Sequence, residues 1–73
     1  MTKKELLNLN NALTLAKQRF TEALKYKGAH PLNLTAVDNV TYARGFLVGI
    51  YVTMGYSVTQ AEIFAEMVGE GLK

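Results

Sequence analysis

Hydrophobic and polar positions along the chain fall into three periodic runs separated by breaker residues. In the first, Leu6, Leu9, Leu13, Ala16, Phe20 and Ala23 recur at alternating spacings of three and four. That is the heptad seam of an amphipathic helix. Leu7 and Leu24 widen the seam, and Asn8, Asn11, Gln18, Arg19, Glu22 and Lys25 cover the other face. The pattern predicts a helix from about Lys3 to Lys27. Gly28 is its expected C-cap, Pro31 forbids continuation, and residues 28–34 form the expected loop.

The second run, from about Ala36 to Met54, is apolar on nearly every side. Between Tyr42 and Met54 only Arg44 and Thr53 are plainly polar. A helix of that kind is expected at the centre of a fold, buried. Thr41, Gly45, Gly49 and Thr53 fall four apart and make a ridge of small residues. Glycine inside a helix costs about 1 kcal/mol relative to alanine. The expected compensation is close approach of another helix. Gly55 is the expected stop, and residues 55–58 the turn.

The third run predicts a helix from Gln60 to about Val68 or Gly69. Val58, Ala61, Ala65, Val68 and Leu72 form a second heptad seam, while Glu62, Glu66 and Glu70 form an acidic stripe. Ile63, Phe64 and Met67 extend the apolar arc beyond what one neighbouring helix covers. Each run also follows a hydroxyl residue with an acid three positions on, the pattern of a capping box. The three strings are Thr2-Lys3-Lys4-Glu5, Thr35-Ala36-Val37-Asp38 and Thr59-Gln60-Ala61-Glu62. The expected fold is therefore an all-α, three-helix bundle-like single domain spanning 1–73. Its first helix is long, its second buried and its third short.

Length changes this picture by making the core marginal. A chain of 73 residues buries only about 60 % of the surface its unfolded form exposes. With no cysteine and a single histidine, neither a disulfide nor a structural zinc site is expected to supplement the core. Completion by self-association is the remaining staple. Charge adds polarity along the chain. Residues 1–27 carry six basic residues against Glu5 and Glu22, a balance of +4, whereas residues 57–73 carry Glu62, Glu66 and Glu70 against Lys73, a balance of −2. Arg44 and Asp38 cancel in the middle, giving the overall +2. The longest apolar run, Phe46 to Val52, is far short of the ~20 residues of a membrane span. No targeting segment is evident, and a cytoplasmic, non-membrane protein is expected.

Candidate chemistry is sparse. Gly45 and Gly49 lie in an apolar helix without the Lys-Ser/Thr of a phosphate loop. Ser57 is the only serine, and His30 has no carboxylate or thiol neighbour in sequence. The three glutamates of one helical stripe suit a solvated face better than a hard-cation site, which needs ligands converging from several directions. No catalytic residue, metal or cofactor is expected. The string from Gly55 to Glu62 has the rhythm of a helix-turn-helix, so a nucleic-acid-binding regulator is the alternative reading. Against it, Glu62, Glu66 and Glu70 would repel phosphates, and Lys17, Arg19, Lys25 and Lys27 do not share one stripe of the first helix.

The expected function is therefore a non-catalytic protein that binds another protein, as a homodimer or higher oligomer. Its size and build suit a modulator or inhibitor of a larger complex, of the kind encoded by bacteria and their viruses. The expected interface residues are Gly45, Gly49, Tyr51, Tyr56, Ile63, Phe64 and Met67. The expected charged faces are Lys17, Arg19 and Lys25 on the first helix and Glu62, Glu66 and Glu70 on the third.

Overall fold

The structure is a computed structural model that describes residues 2–71. Those residues form three α-helices: α1 (Lys3–Ala29), α2 (Leu34–Thr53) and α3 (Val58–Glu70). At 1.5 Å per residue α1 is about 40 Å long, so it sets the long axis of a molecule measuring 44 × 22 × 20 Å. Connections of four residues, 30–33 and 54–57, return each helix alongside the one before. α2 packs against both α1 and α3, and α1 touches α3 less.

The helix starts show which capping signals operate. Thr2 caps α1 as expected: its hydroxyl accepts from the Glu5 N–H at 3.2 Å and donates to the Glu5 carboxylate. The second start differs from expectation. Asn33, not Thr35, is the cap, and its Oδ1 accepts from the N–H groups of Thr35 and Ala36 at 2.9 and 3.3 Å. Helix α2 thus begins at Leu34, and Thr35 lies inside its first turn. The third start also moves upstream. Ser57 and Gln60 form the capping box, with the Gln60 N–H donating to Ser57 Oγ at 3.2 Å and the Ser57 N–H donating to Gln60 Oε1 at 3.3 Å. Thr59 and Glu62 fall within α3.

The ends have separate physical causes. The expected stop at Gly28 does not occur, and α1 continues to Ala29. It ends where Pro31 ends it: the residue before a proline is pushed from the helical region, and His30 has φ −133° and ψ 62°. The His30 N–H still donates to the carbonyls of Tyr26 and Lys27, and its ring lies tilted against Tyr26 with centroids 4.4 Å apart. At the other turn Gly55 does act as the stop, with φ 108°, a conformation glycine adopts without the Cβ penalty. The Tyr56 N–H donates to Tyr51 O and the Gly55 N–H to Val52 O, the two bonds of a Schellman motif. Tyr51, Tyr56 and Phe64 close over this turn, with ring centroids 4.9 to 6.1 Å apart.

One apolar cluster joins the helices: Ala16 and Phe20 from α1, Leu47, Ile50 and Tyr51 from α2, and Ala61 and Ala65 from α3. Three of these seven are alanines, so the core is thin. Leu13, Leu24, Val40, Phe64 and Val68 pack around it, half-buried. The heptad seams are filled only in part. Leu6 of the first and Val58 of the second are exposed, and Leu72 lies outside the described residues. The expectation of a helix α2 buried all round is also corrected. Its buried side is Ala36, Leu47, Ile50 and Tyr51, whereas Tyr42, Phe46 and Val52 face outward. With three helices, α1 and α3 stand on two sides of α2 and, among the described residues, nothing stands on the third.

Candidate functional site

An exposed, weakly polar surface begins on that third side of α2. Thr41, Tyr42, Gly45, Phe46, Gly49, Val52 and Thr53 are all exposed there, and none is charged. The two threonine hydroxyls donate back to the carbonyls of Val37 and Gly49 at 3.2 and 2.9 Å. Helix α2 thereby presents an outer face about three turns long with little polar character. Tyr42 is 82 % exposed and Phe46 46 %. The small-residue ridge does not receive a helix from within the chain: a Cβ added at Gly45 or Gly49 would meet nothing within 4 Å. The expected close crossing at this ridge is therefore absent from the described fold. The close approach occurs at Gly69, where a Cβ would come within 3.3 Å of Leu24 and 3.5 Å of Phe20.

Where the outer face of α2 meets α1, a groove of about 570 Å³ opens. Ala23 and Ala43 are its least exposed residues. Their short side chains leave the space between the helices unfilled. Tyr26, Tyr42 and Phe46 supply the aromatic lining, and Arg19, Glu22 and Asn39 the polar one. The alternation of exposed Arg19, Glu22 and Tyr26 along α1 follows its helical repeat, which puts them on one side.

A second surface lies on α3. Ile63 and Met67 are one turn apart, 51 % and 60 % exposed. They border the exposed stripe of Glu62, Glu66 and Glu70. Glu66 meets Arg44 of α2 at 4.0 Å, the one ion pair among the described residues. Lys17, Arg19 and Lys25 are exposed on α1 and pair with no acid there. The ion pair thus links α2 to α3 and leaves the α1 bases facing solvent.

The expected interface residues separate into two groups. Gly45, Gly49, Tyr56, Ile63 and Met67 are on the surface, whereas Tyr51 is buried in the core and Phe64 half-buried against it. For Tyr51 and Phe64 the structural role within the chain accounts for the aromatic residue. Sequence reasoning missed Tyr26, Tyr42 and Phe46 as a group, because a groove between two helices joins residues some 20 positions apart. The available signal was the facing alanines, Ala23 and Ala43. Among the described residues no group of three or more His, Asp or Glu could hold a metal ion. No described helix is long and apolar enough to cross a membrane.

Fold and surface together define a class: a small all-α protein with a thin core and two open apolar faces. Comparison with family models, curated proteins and solved structures finds no match for the chain.

Proposed function

We propose that this is a non-catalytic interaction protein that self-associates and binds another protein, acting as a modulator or inhibitor of a larger assembly, with the cytoplasm as its site of action. The observation that carries this reading is the exposure of large apolar side chains on two separate helix faces: Tyr42 and Phe46 on α2, Ile63 and Met67 on α3. Contiguous apolar patches of this kind mark interaction sites. The acidic stripe beside Ile63 and Met67 favours a partner whose apolar contact is rimmed by basic residues.

The test is capture of partners from the native cell with the wild-type chain and with the double variant Ile63→Ser, Met67→Ser. Both side chains lie outside the buried cluster, so the variant should keep its helical circular dichroism while losing the captured protein. Equal capture by both would count against α3 as the recognition surface. A gel shift with random DNA duplex at low salt tests the nucleic-acid alternative, since backbone contacts are strongest there. The expected result is no shift, because α3 would meet the phosphates with three glutamates.

A further inference from the structure

The two open faces differ in a way that assigns them different partners. The groove lining carries one charge of each sign, Arg19 and Glu22, both exposed and neither in an ion pair among the described residues. The α3 face carries three glutamates and would repel a copy of itself. A two-fold axis brings residue i against residue j and residue j against residue i. A face with one cation and one anion side by side is therefore complementary to itself. Resting on the self-association reading above, we propose that the α1–α2 groove face is a two-fold interface with a second copy of this chain. Arg19 of each copy meets Glu22 of the other, around an apolar centre of Tyr26, Tyr42 and Phe46.

The groove and its aromatic edge support a second copy at this face. The chain exposes 5292 Å², whereas a compact monomer of its 8.1 kDa exposes about 4,500 Å². The excess, roughly 800 Å², follows from the elongated 44 × 22 × 20 Å shape and from the apolar side chains left outside on both open faces. The groove volume of about 570 Å³ lies in the range that accepts a ligand-sized group. Tyr42, the most exposed aromatic side chain among those described, stands at its edge. Around a two-fold axis, Tyr42 of each copy enters the groove of the other. Tyrosine suits that position because its ring is apolar and its hydroxyl tolerates a wet rim. The dimer would leave Ile63, Met67 and the acidic stripe of α3 facing outward for the foreign partner.

The test is sedimentation equilibrium of the wild-type chain, of R19E, of E22R and of R19E/E22R, with circular dichroism to verify that each remains helical. The wild type is expected to dimerise. Each single reversal should weaken the dimer by on the order of tenfold, because it sets like charges face to face. The double reversal should restore it, since the pair is then merely exchanged. Mixing R19E with E22R should produce a heterodimer tighter than either homodimer, one chain presenting two acids and the other two bases. A wild-type dimer whose affinity is unchanged in both single variants would overturn the groove interface while leaving self-association standing. A wild type that stays monomeric at on the order of 100 µM, a concentration at which even weak specific dimers form, would overturn both. Binding of another protein through α3 would then still be judged by the Ile63 and Met67 variant.

Discussion

At the scale of single residues, the glycines of the chain have unequal roles that composition does not distinguish. Gly45 and Gly49 sit in helix with open space where a Cβ would go, Gly55 holds a positive φ, and Gly69 lies against Leu24 and Phe20. Replacing Gly45 by alanine should therefore stabilise the chain by up to about 1 kcal/mol, the helix-propensity difference. Gly69→Leu should destabilise it by about 1–3 kcal/mol through overpacking. Thermal melts of the two variants check both signs. A lower melting temperature for Gly45→Ala would reveal a close neighbour on the outer face of α2 that the isolated chain lacks.

At the scale of the helices, hydrogen-bond geometry decides between neighbouring start signals. Asn33 and Ser57 are caps, whereas Thr35 and Thr59 lie one or two residues inside the helices they seemed to open. Asn33→Ala and Ser57→Ala should each cost about 1 kcal/mol, and Thr35→Ala and Thr59→Ala clearly less. Chemical denaturation of the four variants tests this ordering. Equal losses within a pair would mean that the upstream cap is not the one in use. Ser57-Val58-Thr59-Gln60 was legible as a capping box in the sequence, since glutamine serves as well as glutamate at the third position. The choice of Asn33 over Thr35 was harder to see. Both residue types cap well, and the difference lies in where Pro31 and the turn release the chain.

At the scale of the whole molecule, stability rests on a few side chains. Leu47 is the largest side chain fully removed from solvent among the described residues, and it sits where all three helices contribute to one cluster. Leu47→Ala should cost about 2–5 kcal/mol. The full stability of a 73-residue domain is on the order of 4–11 kcal/mol. The urea midpoint should therefore fall by roughly a third or more, as read by circular dichroism. The Arg44–Glu66 pair contributes far less, because both side chains are well exposed and water screens the attraction. A core with so little in reserve would gain from the proposed association, since a partner that binds only the folded chain stabilises it by mass action.

The number of helices, their approximate spans, the Thr2 cap, the Gly55 stop and the surplus apolar arc of α3 were all legible in the sequence. Each depends on interactions within a few residues or on periodicity along one helix, and such information is local. What the tertiary structure decided is which apolar residues remain outside. Leu47 and Phe46 are adjacent in an apolar run, yet one is fully buried and the other half-exposed, because α1 and α3 leave the third side of α2 uncovered. The same geometry leaves Gly45 and Gly49 open, puts the close approach at Gly69, and joins Arg19, Glu22, Tyr26, Tyr42 and Phe46 around a groove. Periodicity fixes the angle of a residue about its own helix axis. Only packing decides whether another helix stands at that angle.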